Sequence, residues 1–416
     1  MIYPSSKSFP CPPSSSAPLL STLKSAFPAP IRLVAKRGST LHDYPYEGIN
    51  RKCPHFWIIN VTPPGHCIHR CLYCYARYAI YSRPSSEIFV YSNLPELVEK
   101  DLKRMTLCPP ISISNTSDPC QPIPELKTEV ERLVRLLMDY NISFSITTKG
   151  DPGFLLDLPG FTSYKRKFIA LTIEGDAEVI SMLSPGAPSF EERVGFVRQL
   201  SSLGLDTLIR FDPVFIHLFQ AIYGGSWFRK IEGLIDTFAS TGVKHIVCST
   251  GRLSRRKTEN GKHSMWQEIH QVIQARSALA AKRFDQEYCY EQGGYLLRRD
   301  LRLRFHQSLR ALVEERGMTY STCQELSARE SDSEGLPHCQ RFILPFVRIR
   351  NDSHFEPIKD CTANCHLSCQ GLSHPPCGQS KLISLHPFKA SYLLSNTESR
   401  IEKTGGFHNG PVSSSL

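Results

Sequence analysis

The sequence predicts an α/β fold in which parallel strands alternate with helices and close into a partial barrel. Two observations carry that expectation. Six short apolar runs of strand length recur along the chain, and residues between them repeat at helical spacing. The bulk composition agrees, since 41% hydrophobic and 21% charged residues make a globular balance. A doubly wound open sheet shares these signals and stands as the alternative, because periodicity does not report closure.

The strands are expected at 56–61, 111–115, 142–148, 168–173, 205–211 and 243–248. Ile142, Phe144 and Ile146 alternate as a strand requires. Val130, Leu133, Val134 and Leu137 mark one helix face, and Phe190, Val194, Val197 and Leu200 mark another. After Gly251 a basic connection runs over 252–257, 264–281 and 300–316 read as helical, and 318–323 reads as a short strand. The organisation expected is a 1–50 irregular N-terminal extension, a 51–255 barrel, a 256–350 helical part and a 351–416 cysteine-rich tail. Residues 1–42 contain no Asp or Glu and are rich in Ser and Pro, so they bury little. A transit peptide shares that composition, although prolines interrupt the amphipathic helix it needs.

Lys and Arg outnumber Asp and Glu by 49 to 39, a net +10 that suits a polyanionic partner without requiring one. No apolar stretch reaches the length of a membrane span, so no membrane association is expected. The chain shows no internal repeat, Walker loop or Gly-x-Gly-x-x-Gly fingerprint. Its 15 cysteines are clustered. An odd count, a long chain and no secretory signal pattern argue against a disulfide framework, and tight clusters point to thiolate ligands in a reducing, cytoplasmic setting.

The first cluster is Cys67-Ile-His-Arg-Cys71-Leu-Tyr73-Cys74-Tyr75, a C-x3-C-x2-C spacing directly after the first expected strand. Three thiolates can hold three irons of a 4Fe–4S cluster and leave the fourth iron open to a small molecule. Structural zinc is the competing assignment; it wants four ligands, which His66 or His69 would have to complete. The spacing, with Tyr73 at the aromatic position, resembles the signature of radical S-adenosylmethionine enzymes. The wording around it resembles their spore photoproduct lyase-like branch.

The resemblance implies a partial (β/α)6 TIM-like barrel, to which the sequence adds a cysteine-rich C-terminal extension, and two cofactors, a 4Fe–4S cluster and S-adenosylmethionine. It also implies an electron donor such as flavodoxin or ferredoxin. In that superfamily the cluster reduces S-adenosylmethionine, and a 5′-deoxyadenosyl radical takes hydrogen from substrate. It carries family roles onto Cys67, Cys71 and Cys74 as cluster ligands, and onto Tyr73, Ser117, Asp118, Lys149, Glu174 and Arg210 for the cofactor. The last five stand at the ends of successive strands, where barrels place functional groups. Tyr75 matches a tyrosine used near the radical. The branch's hydrogen-donating cysteine is replaced by Asn115, and Cys120, five residues on, is the candidate substitute. Each strand-end residue also has a plain structural use: Ser117 and Asp118 as caps, Lys149 as a strand exit, Arg210 as a core ion pair.

The second set is Cys361, Cys365, Cys369 and Cys377, with Cys323 and Cys339 upstream. An auxiliary 4Fe–4S cluster or zinc would staple a tail with few apolar residues. Basic runs at Arg252, Arg255, Arg256 and Lys257, and at Arg298, Arg299, Arg302 and Arg304, suit phosphate contacts or solvated, ion-paired faces equally. The expected substrate is a nucleobase in DNA or RNA, against a peptide or small molecule. The rival of another class is a non-catalytic zinc protein that binds nucleic acid.

Overall fold

The structure is a computed structural model that describes residues 30–38, 40–43, 57–78, 87–114, 116–257, 264–291, 293–351, 354–369 and 371–379. Most of the N-terminal extension, Asn115 and the tail beyond 379 lie outside the described residues.

All six expected strands are present. Trp57–Ile59, Ile111–Ile113, Phe144–Thr148, Lys167–Thr172, Thr207–Phe211 and His245–Cys248 pair side by side in chain order, all parallel. A further strand, Thr319–Thr322, adds in parallel to the sixth, and Leu41–Asp43 adds antiparallel to the first. The strand order never reverses. The switch-point crevice of a doubly wound sheet needs such a reversal. Between 256 and 350 the helices Met265–Gln274, Ala278–Glu287 and Arg299–Glu315 are interleaved with the hairpin Tyr288–Glu291/Gly294–Leu297 and the Thr319–Thr322 strand. No helix of the described residues is long and apolar enough to cross a membrane.

The sheet is buried on both faces, which explains why its strands read as near-continuous apolar runs. All six residues of Lys167–Thr172 are buried. One face packs Ile113, Ile146, Ile169, Leu171, Ile209 and Phe211 into the main core, which the helices cover. Each such side chain contributes roughly 1.5–3 kcal/mol of burial. The helix Pro124–Asp139 starts with proline in its first turn and buries Leu126, Val130, Leu133, Val134 and Leu137. The helix Phe190–Ser202 opens with a reciprocal cap between Ser189 and Glu192.

The other face holds Phe168, Ala170, Leu208 and Val247, covered by Leu344. The segment bearing Leu344 is stitched across it. The Cys339 carbonyl accepts from Ser321 Oγ at 2.7 Å and His245 Nε2 at 3.0 Å, and the Pro345 carbonyl accepts from Ser143 Oγ at 2.7 Å. The floor therefore reaches from the seventh strand to the third.

Lys167 is the one charge on its strand. Its ammonium donates to the Tyr164 carbonyl at 2.8 Å and lies 4.5 Å from the Phe161 ring centroid. Burial pulls its pKa down to about 8, with Asp206 acting in the other direction. The unfolded chain thus holds more proton between pH 8 and the ordinary lysine value of about 10.4, so folding stability rises with pH across that window. Lys167→Met removes this contribution. The variant's stability advantage in urea titrations should be larger at pH 7.5 than at pH 10; an advantage independent of pH would contradict the assignment.

Candidate active site

The cysteine loop leaves the first strand and is fastened to neighbouring loops by its backbone. Ile68 N–H donates to Gln121 Oε1 at 2.8 Å, and Leu72 N–H donates to the Leu183 carbonyl at 2.8 Å. Gly186 N–H donates to the His69 carbonyl at 3.2 Å. Gly186 also presses on the loop, since a Cβ there would stand 2.0 Å from the Ile68 carbonyl oxygen. Gly186→Ala must push the loop outward, at an overpacking cost of about 1–3 kcal/mol. The expected result is iron content well below wild type after reconstitution, with an unchanged far-ultraviolet spectrum. Full iron content would show that the loop tolerates displacement.

Within the loop, Cys74 N–H donates to the Cys71 carbonyl at 3.2 Å, and Arg77 N–H to the Cys74 carbonyl at 3.0 Å. These bonds lead into the short helix Tyr75–Tyr78. Cys71 is buried; Cys67 and Cys74 are half-buried. Burial pushes the Cys67 thiol well up, assisted by the Asp118 and Cys71 charges, against backbone N–H groups of Asp118 and His69. Burial pushes Cys71 up to about 11, with Lys149 pulling the other way and Glu174 adding to the rise.

Three thiols on one loop form a donor set that bound metal would satisfy, and the raised proton affinity of Cys67 and Cys71 shows that burial makes those two thiolates need a positive partner. Among the described residues no three Cys, His, Asp or Glu side chains meet at the spacing of one bound ion. A 4Fe–4S cluster asks for no such convergence, because each thiolate takes its own iron. The donor set fits a cluster with three ligated irons.

Tyr73 connects this loop to the fourth strand. Its hydroxyl donates to Glu174 Oε1 at 2.9 Å. Glu174 is fully buried and pairs with Arg193, whose Nη1 stands 2.6 Å from Glu174 Oε2; Ser184 Oγ donates to the same carboxylate. Burial alone would raise Glu174, but Arg193 and Lys149 hold it below the usual carboxylate range. The Lys149 ammonium lies 5.4 Å from the Tyr73 ring centroid. Burial works against its charge, yet Cys71 and Glu174 raise its pKa above the ordinary value.

Asp118 holds the second and third strand-end loops to the cysteine loop. Its oxygens accept Cys120 N–H at 2.9 Å, the Thr148 hydroxyl at 2.5 Å and Lys149 N–H at 2.6 Å. His69 Nδ1 stands 3.3 Å away. Burial opposes the charge, but His69, Thr148 and the Lys149 N–H hold the carboxyl well below its usual range. Ser117 is buried against Ser114, with their hydroxyls 3.0 Å apart. Cys120 is buried in the core beneath Gly150, and burial with the Asp118 charge pushes its thiol well up. Tyr75 is exposed.

Arg210 forms a separate group at the ends of the fifth to seventh strands. It pairs with Asp212, which also accepts from Ser249, and its Nη2 stands 3.3 Å from Cys323 Sγ. Burial pushes the Cys323 thiol up to about 12, with Arg210 pulling against it.

The two basic runs differ. Arg252, Arg255, Arg256 and Lys257 are exposed, and the Arg255 guanidinium lies 4.2 Å from the Trp266 ring centroid and 4.3 Å from that of Tyr295. In the second run Arg298 and Arg304 pair with Asp300, Arg299 pairs with Glu330, and buried Arg302 pairs with Glu291. That run is an ion-paired helix face.

Arg193, Ser184 and Gln121 were not expected at the site, and His69 was weighed there only as a zinc ligand. Arg193 had a signal: it falls in register with Phe190, Val194 and Val197 on the apolar face of its helix, where an arginine must have a buried partner. Gln121 and Ser184 act through contacts distant in sequence and gave none.

No family model matches the chain. A curated relative, a radical SAM Nα-GlyT isomerase of Pseudomonas phage M6, is 23% identical over 351 residues, 79% of this chain and 70% of that protein. A spore photoproduct lyase variant with bound AdoMet and dinucleoside spore photoproduct superposes with a TM-score of 0.51 at 18% identity, over 77% of this chain and 88% of that chain. Spore photoproduct lyase complexed with dinucleoside spore photoproduct gives 0.50 at 17% identity, over 76% and 88%. The motif and the relative agree on an enzyme of the radical S-adenosylmethionine type, and the solved spore photoproduct lyase structures are similar in fold.

Proposed function

We propose that this enzyme modifies a nucleobase carried in DNA or RNA, at the carboxyl ends of a partial (β/α)6 barrel. The observation that carries the reading is the fastening of the Cys67–Cys71–Cys74 loop to the ends of the second, third and fourth strands. That arrangement sets Tyr73 and Lys149 beside the thiols. When bound, the cluster supplies the electron that splits S-adenosylmethionine into methionine and the 5′-deoxyadenosyl radical that takes hydrogen from substrate.

The chain's own residues divide the remaining work. Cys67, Cys71 and Cys74 hold the cluster. Lys149, kept charged by its neighbours, offers an ammonium to the cofactor carboxylate. Glu174 fixes Tyr73, and Asp118 fixes the Lys149 backbone, so both act as positioning residues. A flavodoxin or ferredoxin supplies reducing equivalents. The nucleic-acid part of the reading rests on the exposed cations at 252–257, which follow the sixth strand at the site end of the sheet. The dinucleoside spore photoproduct named with a solved structure of similar fold is of the same substrate class.

Anaerobic reconstitution tests the chemistry. A brown protein with at least about four irons per chain, releasing 5′-deoxyadenosine on reduction with cofactor, is expected. A colourless protein that releases none would overturn the reading. Oligonucleotide binding that weakens with salt is expected for the substrate class, and no binding at low salt would remove it.

A further inference from the structure

A second concentration of thiols sits on a hairpin outside the main sheet. The strands Val347–Asn351 and His354–Pro357 pair antiparallel, and the first of them adds to Leu107–Cys108. This hairpin fastens both ends of the cysteine segment. Ile358 N–H donates to the Phe346 carbonyl at 2.9 Å, and Cys361 N–H donates back to the Ile358 carbonyl at 3.3 Å. At the far end, Arg348 Nη2 donates to the Cys377 carbonyl at 3.0 Å. Residues 361 and 377 are thereby drawn to one place.

Between them the short helix Cys365–Ser368 sets Cys369 one turn beyond Cys365, with Cys369 N–H donating to the Cys365 carbonyl at 3.2 Å. Residues four apart share a helix face. Asn364 Nδ2 donates to the Pro337 carbonyl at 2.8 Å, which ties the turn to the body of the protein. None of the four cysteines is in a disulfide; Cys365 and Cys377 are buried, Cys361 and Cys369 half-buried. Burial raises Cys369, and the charges of Cys361 and Cys377 both reach it.

The chemistry of the segment explains the gathering. Across 361–379 the large apolar side chains are two leucines, Leu367 and Leu372. That cannot build a core, so the segment needs another source of folding free energy, which metal binding supplies. A set of four thiolates selects zinc or an iron–sulfur cluster over harder cations.

We propose that Cys361, Cys365, Cys369 and Cys377 form a second thiolate metal centre, closed by four protein ligands and structural in role. Four thiolates can close around one zinc ion or each take one iron of a cluster. The proposal does not depend on the radical chemistry, because the two sites share no ligand.

The full-length chain tests it in two variants. In C67A/C71A/C74A the protein should retain one metal centre, read as about four irons with sulfide or as about one zinc. In C361S/C365S/C369S/C377S that amount should be lost. A first variant that holds no metal overturns the proposal. Should the tail variant fail to fold, alkylation of the wild-type chain decides. Cys361, Cys365, Cys369 and Cys377 should react more slowly than exposed Cys289 until chelator or acid is added. Tail thiols that react as fast as Cys289 and ignore chelator overturn it.

Discussion

Replacing Cys67, Cys71 and Cys74 together by alanine is expected to reduce 5′-deoxyadenosine formation to background while leaving the protein folded. Each thiolate binds a different iron, so removal of all three leaves a cluster nothing to hold. The fold does not rest on these side chains. The loop is fastened by backbone hydrogen bonds to Gln121, Leu183 and Gly186, which alanine keeps. Single substitutions should be graded, with Cys71→Ala the most severe because that thiol is buried and lies closest in charge to Lys149 and Glu174. The measurement is product quantification under excess chemical reductant, alongside iron and sulfide analysis. Undiminished 5′-deoxyadenosine from the triple variant would remove the assignment of the loop.

The second large effect concerns Arg193. Its guanidinium pairs with Glu174 at 2.6 Å and donates to the carbonyls of Thr172 and Pro188 at 3.1 and 2.8 Å, and to Ser184 Oγ at 3.0 Å. Both members of the ion pair are fully buried. Arg193→Met would leave the Glu174 carboxylate without its main partner, and breaking such a pair costs about 3–5 kcal/mol. Lys149 offsets part of that, so the lower end is expected. Urea unfolding should show the midpoint fall at constant slope. The double variant R193M/E174Q should recover much of the loss, because no buried charge is stranded. A wild-type midpoint for Arg193→Met would show that the pair carries little. Loosening Glu174 also frees Tyr73, so 5′-deoxyadenosine formation should fall in the single variant even where it remains folded.

What was legible in the sequence depended on distance along the chain. Cys67, Cys71 and Cys74 announce themselves because their ligand geometry is written within eight residues. The parallel strands were legible because burial on both faces makes each an apolar run. The strand-end residues were legible as positions but not as contacts. Asp118 was expected at the cofactor, but its contacts with Cys120, Thr148, Lys149 and His69 were not foreseen. Glu174 was expected there as well and is met by Arg193, Ser184 and Tyr73. Thr148, Lys149, His69 and Tyr73 lie 30 or more residues from the carboxylates they meet, and no local period encodes them. The Thr319–Thr322 strand was expected, but its place in the main sheet was not, because pairing is a tertiary choice.

That placement has a consequence for the molecule as a unit. His245–Cys248 would be the rim of the sheet if the chain stopped after residue 255, with one row of N–H and carbonyl groups bare. The cover over Phe168, Leu208 and Val247, which comes from Leu344, would go with it. An uncapped, apolar rim is a template for pairing with another chain. The stretch from Thr319 to Leu344 therefore serves as a sealing piece, and a chain trimmed after residue 255 would be prone to self-association.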